Sequence, residues 1–181
     1  MGTVENPATA LVDGTTFKVA GQTGMEQVAP NSVFVPATHF VSHAGSGALA
    51  TASGLPGWAL DTTADETVAA VVKLPDSWKA FDAAVLWSNG STGAGGCRWD
   101  IGYGNVVAGD TPAAGGGTTA SATGTASTTQ YLLVQTDVVD GGALTAGEYL
   151  HVEVNRDADH AGDTMANDAL LHGVLFTRVV G

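Results

Sequence analysis

The 181-residue chain is long enough to bury a sizeable core in one domain, and its 44% hydrophobic content marks a folding chain. Eighteen acidic against six basic residues give a net charge of −12, which repels phosphate backbones and anionic lipid and so argues against nucleic acid or a membrane as direct partner. The only cysteine, Cys97, excludes an internal disulfide and with it a bridge-stabilised secreted domain.

The N-terminal residues, MGTVENPATALVDG, have no basic segment followed by an apolar run, so no secretion signal and synthesis in a cytoplasm are expected. Residues 1–36 read as an arm or a first hairpin. Their β-like pieces, Thr16 to Ala20 and Ser32 to Val35, are short and interrupted by glycine and proline. Residues 37–181 read as the main domain. Thr67 to Leu74 alternates, with Val68, Ala70 and Val72 on one face and Val71 on the other. Phe81, Ala83, Val85 and Trp87 define the buried face of the next strand. Cys97, Trp99, Ile101 and Tyr103 define the one after the glycine-rich turn 89–96. That turn predicts a hairpin in which Trp87 and Trp99 face a common core from adjacent antiparallel strands.

Residues 111–129 are uncharged Ala, Gly, Thr and Ser, and suit a linker or a poorly sided edge strand. Leu132, Val134, Thr136 and Val138 line one side of a further strand. The chain closes with strand, charged loop, strand over residues 147–181, where Leu150, Val152 and Val154 alternate with His151, Glu153 and Asn155. No segment has the period of a long amphipathic helix. Seven to nine short strands with glycine-rich turns predict an all-β fold, an antiparallel two-sheet sandwich with jelly-roll topology.

The Asp-rich loop offers two readings. Asp157, Asp159 and Asp163 supply hard oxygen ligands for calcium, although their spacing is not that of an EF-hand. The stronger reading is a structural clasp in which Arg156 pairs with Asp157 or Asp163, and Asp163 or Thr164 bonds turn amides. The five histidines carry no HExxH and no CxxC companion, and read as structural or surface groups. No GxSxG, P-loop or separable carboxylate dyad is present, so neither enzyme chemistry nor a cofactor is expected. Trp58 and Trp78 lie at strand ends, where flat rings suit sugar stacking, whereas Trp87 and Trp99 read as interior.

Four segments, LPDSWK, FDAAVLWSN, CRWDIGYG and YLHVEVNRDADHAGDTMANDALLHGVLF, resemble a jelly-roll module of tailed-bacteriophage virion proteins. The matching positions are Lys73-Leu74-Pro75, Val85-Leu86-Trp87, and Val154-Asn155-Arg156-Asp157 through Asp163-Thr164. The resemblance covers residues 58–179. It implies a homotrimeric capsid decoration (cement) protein on the outer surface of the virion, with the major capsid protein and copies of itself as partners. The alternative is a receptor- or glycan-binding module of a tail fibre, head fibre or baseplate. The resemblance supplies no catalytic residues.

Overall fold

The computed structural model describes residues 30–45, 47–107, 109–110 and 117–180, and the backbone of three short strands nearer the N-terminus. The chain forms two units, Met1–Pro30 and Asn31–Gly181. In the first, β1 (Leu11–Val12), β2 (Thr16–Lys18) and β3 (Met25–Glu26) pair antiparallel in chain order. Most residues of the expected arm lie outside the described residues.

The second unit carries β4 (Ser32–Pro36), β5 (Val41–Ala44), β6 (Ala48–Ala52), β7 (Leu55–Leu60), β8 (Glu66–Val72) and β9 (Ala80–Asn89). It continues with β10 (Gly96–Val106), β11 (Thr118–Thr125), β12 (Val134–Ala143), β13 (Tyr149–Arg156) and β14 (Ala169–Arg178). One sheet has the order β11-β10-β13-β8-β5; the other has the order β12-β9-β14-β7-β6, with β4 also on β14. Every pairing is antiparallel, and the fold is a two-sheet jelly-roll sandwich. The strand Ser32–Pro36, which the sequence left open between an arm and a first hairpin, belongs to the sandwich: Val35 pairs with Val174 and is buried.

The period-2 patterns decide which faces meet. Phe81, Val85 and Trp87 of β9 are fully buried, as are Trp99 and Ile101 of β10 and Leu150, Val152 and Val154 of β13. The predicted hairpin between β9 and β10 does not form, because the two strands lie in opposite sheets. The connection after Asn89 arches across the sandwich, and glycine-rich sequence serves an arch as well as a hairpin. Trp87 and Trp99 therefore meet through the core, with ring centroids 5.7 Å apart, rather than side by side within a sheet. The Trp87 indole donates to Thr136 Oγ1 at 2.8 Å, which satisfies the polar atom of a wholly buried ring.

Two glycines are conformational requirements. The two-residue turn between β6 and β7 has φ of 49° at Ser53 and 86° at Gly54, the doubly positive pattern of a tight hairpin. Gly173, with φ of 155°, sits at the bulge in β14 where the neighbouring strand changes from β7 to β4; a Cβ there would collide with Val35 O. The uncharged run 111–129 contributes β11 at the edge of the five-stranded sheet, where Thr118 to Thr125 pair with β10.

Candidate functional site

The clasp forms, and it is more complete than the sequence indicates. Arg156 closes the inward row of β13 and is fully buried. Its Nε donates to Asp163 Oδ2 and one terminal nitrogen to Asp163 Oδ1, each at 2.9 Å. The other three N–H groups reach Leu60 O at 3.0 Å, Asn167 O at 2.9 Å and Met165 O at 3.0 Å. All five guanidinium donors are thus used. Burial alone would lower the Arg156 pKa, but the Asp163 carboxylate outweighs it and holds the group above its ordinary value. Asp163 Oδ2 also accepts from the Arg98 amide at 3.1 Å, and Thr164 Oγ1 from the Gly96 amide at 2.8 Å. Beside the clasp, burial pushes the Cys97 thiol well above its usual range, so it is not a reactive thiolate.

Of the two partners open to Arg156, the structure uses Asp163, and the Asp157 side chain stays outside the clasp. The calcium set is corrected, because Asp163 is committed to Arg156. Asp157 and Asp159 instead gather with Asp65, from the β7–β8 loop, with one carboxylate oxygen of each within 4.8 Å of the others. Asp65 Oδ1 accepts from the Ala158 amide at 2.9 Å, which ties the two loops together. Desolvation, and then the contact with Asp159, raises the Asp157 pKa. These oxygens are the donor set on which a hard cation would draw.

The tryptophans do not make a sugar platform. Trp78 is wholly buried, because the turn closed by its amide on Pro75 O at 2.9 Å folds the ring into the core. Trp58 is half-buried against the core, and its indole donates to Ala37 O at 2.9 Å.

The open surface is the outer face of the five-stranded sheet. Strand alternation places Tyr149, His151, Glu153 and Asn155 of β13 on it, between Arg98, Asp100, Gly102 and Gly104 of β10 and Thr67, Ala69 and Val71 of β8. Gly102 and Ala69 flank Glu153 in the pairing register, so small residues border it on both sides. Thr119 and Ser121 of β11 extend the face, and Val41 of β5 borders it. A concavity of about 360 Å³ opens between His39, Val41, His43, Ala69, Val71 and His151. Tyr149, 45% exposed, is the outward neighbour of His151 on β13, its ring 5.6 Å from Lys73 Nζ.

This face concentrates unmet hydrogen bonding. Among the described residues, five buried side-chain polar atoms lack a partner, and three of them, Arg98 Nε, Asp100 Oδ1 and His151 Nδ1, belong to it. Arg98 Nε and Asp100 Oδ1 stand 3.6 Å apart, an ion pair without a hydrogen bond. The sequence shows the alternation that builds the face, but not that these atoms stay unpaired.

Among the described residues, the serine–histidine pair with hydrogen-bond geometry is elsewhere. Ser88 Oγ lies 2.8 Å from His172 Nε2, and His172 Nδ1 lies 2.9 Å from Pro56 O. A carbonyl only accepts, so Nδ1 carries the proton and Nε2 accepts from Ser88. Ser88 is 0% and His172 6% exposed, so the pair is a satisfied internal chain out of reach of a substrate.

No family model matches this chain, and no curated protein matches it by sequence. Solved structures match its fold. A family 35 carbohydrate-binding module from Clostridium thermocellum aligns with TM-score 0.55 at 11% identity, over 83% of this chain and 100% of the module. A CBM36 carbohydrate-binding module in complex with calcium and xylotriose aligns with TM-score 0.52 at 14% identity, over 80% of this chain and 99% of that one. The mosquito-larvicidal Cry4Aa toxin of Bacillus thuringiensis aligns with TM-score 0.57 at 9% identity, over 83% of this chain but 24% of the toxin. At these identities the likeness is one of fold.

Proposed function

We propose that this chain is a non-enzymatic glycan-binding module whose site is the outer face of the five-stranded sheet. The observation that carries the reading is the partly exposed Arg98–Asp100 ion pair, 3.6 Å apart and so without a hydrogen bond, on the face that also carries the concavity and the exposed Tyr149. Sugar hydroxyls both donate and accept, so one polyol serves the Arg98 donor and the Asp100 acceptor together. Tyr149 adds a flat ring at the end of the same row. The names of two fold neighbours, both carbohydrate-binding modules, support the reading. So does the composition: a net charge of −12 favours neutral over anionic glycans.

The capsid-decoration reading, with its trimer, capsid partner and virion location, gains no support from these neighbours. The test is titration of the intact protein against a panel of neutral oligosaccharides, read by calorimetry. Binding to at least one class is expected. Asp100→Asn and Tyr149→Ala each weaken it by about tenfold, equivalent to about 1.4 kcal/mol, while the fold stays intact. A capsid decoration protein is silent in this assay, and silence across the panel ends the glycan reading.

A further inference from the structure

We propose that the free edge of β11 is an interface on which a second copy of this chain pairs, antiparallel and edge to edge, to form a two-fold dimer. β11 ends the five-stranded sheet, and among the described residues only β10 pairs with it. That pairing runs from Gly96↔Thr125 to Tyr103↔Thr118 with no register shift, so the backbone groups on the other side of β11 form a regular row. A sheet edge of this kind takes up another strand unless something blunts it. The other edges are blunted. β12 carries two register irregularities and the charges of Asp137 and Asp140. β5 has four residues and a register shift between Ser42 and Ala44, β6 has five residues, and β4 ends on Pro36. β11 spans eight residues, Thr118–Thr125, with no charge, no proline and no bulge. Its Gly124 packs on Thr136 of β12, so the open edge is Thr118 to Thr123.

Charge and symmetry select a second copy as the occupant. Each chain carries −12, so two copies meet most readily where carboxylates are absent, and the whole run 111–129 is uncharged. Antiparallel pairing about a two-fold axis needs no second motif, since the strand meets itself. On the outward side, Thr119, Ser121 and Thr123 then lie beside the same hydroxyl row of the second copy, and Thr–Thr and Thr–Ser neighbours hydrogen-bond across strands. On the inward side, Ala120 and Ala122 are small enough to let the two edges approach. Six residues rising about 3.3 Å each give an edge of about 20 Å. That contact is smaller than the roughly 1,200–2,000 Å² of a stable interface, so the dimer is weak and concentration-dependent. The two-fold closes the assembly at two copies and leaves no β11 edge for further growth, unlike the trimer that the virion resemblance implies. It also joins the outer faces of two five-stranded sheets, with Thr119 and Ser121 of both copies at the seam. The inference stands on strand geometry and charge and does not depend on glycan binding.

The experiment is sedimentation equilibrium on the untagged full-length chain, from micromolar to millimolar concentration, at physiological ionic strength, where the Debye length is about 8 Å. A reversible monomer–dimer equilibrium is expected. Ser121→Glu sets two carboxylates directly or diagonally across the two-fold and weakens association by at least about tenfold. Thr119→Glu, on the same outward row, gives a loss of the same kind. Mixing Ser121→Glu with Ser121→Lys in equal amounts restores dimers, because the charges across the seam are now opposite. Thr51→Glu, on the β6 edge, adds the same charge and leaves association unchanged. Ser121, Thr119 and Thr51 are all exposed, and circular dichroism checks that each variant is folded. A monomer at every concentration overturns the proposal, as does a trimer or larger assembly. So does a dimer that survives both Ser121→Glu and Thr119→Glu, or one that Thr51→Glu disrupts.

Discussion

The two faces of β13 lie back to back on one strand and differ in how far their polar groups are satisfied. Inward, Leu150, Val152, Val154 and Arg156 are all fully buried, and the one charged group among them has a partner for every donor. Outward, Tyr149 is 45% exposed, His151 Nδ1 has no partner, and Arg98 and Asp100 of the neighbouring strand form an ion pair without a hydrogen bond. The contrast holds along β13; elsewhere the interior also keeps Trp99 Nε1 and Asn89 Oδ1 without a partner.

The largest expected effect tests the inward face. Arg156→Ala leaves the Asp163 carboxylate, whose side chain is 2% exposed, buried without its counter-ion. It also strands three backbone carbonyls. The loss is about 3–5 kcal/mol in urea unfolding. Arg156→Lys does not restore it, since three rotating donors cannot replace a planar fork of five. A loss below about 1 kcal/mol would mean that the clasp is ornamental. Next comes Thr136→Val, which leaves the buried Trp87 indole N–H without its acceptor and costs about 1–3 kcal/mol on the same measurement.

On the outward face the expectation reverses. Tyr149→Ala and Asp100→Asn change unfolding free energy by about 0.5 kcal/mol or less, while weakening glycan binding as stated above. Destabilisation of the size seen for Arg156 would erase the contrast between the faces. The smallest effect belongs to the acidic cluster. The folded-state pKa of Asp157 is raised, so the native state holds that proton more tightly than the unfolded chain does. The associated stability is present at low pH and is lost as pH rises through the elevated value. Asp157→Asn therefore stabilises the protein slightly at neutral pH, and the gain vanishes when pH falls below the ordinary aspartate range. A melting-temperature series against pH for the two proteins checks the sign.

Strand alternation made much of this fold legible. The buried faces of β8, β9, β10 and β13 follow from Val68, Val85, Trp99 and Val152 and their alternate neighbours. Sheet membership did not follow, since the glycine-rich connection after Asn89 reads alike whether it closes a hairpin or arches between sheets. Half of the clasp was legible as well, because Arg156 and Asp163 are close in sequence. Its three carbonyl acceptors were not, as they depend on how residues 60, 165 and 167 pack around the guanidinium. Asp65 joins Asp157 and Asp159 across a long stretch of chain, and no local pattern announces that meeting. Trp78 misled because a strand end in sequence looks exposed, whereas the turn at Pro75 drives its ring inward. The unpaired atoms on the outer face are invisible in sequence, since an unmet hydrogen bond is a property of what surrounds the atom.

The most direct measurement is backbone amide shift mapping by NMR on the isotopically labelled protein, titrated with the tightest neutral oligosaccharide from the panel. The account predicts that the largest shifts fall on Arg98, Asp100, Tyr149, His151 and Glu153, with the six-stranded sheet unperturbed. Shifts centred on Trp58 and the β6–β7 hairpin, or no saturable shifts with any oligosaccharide, would contradict it.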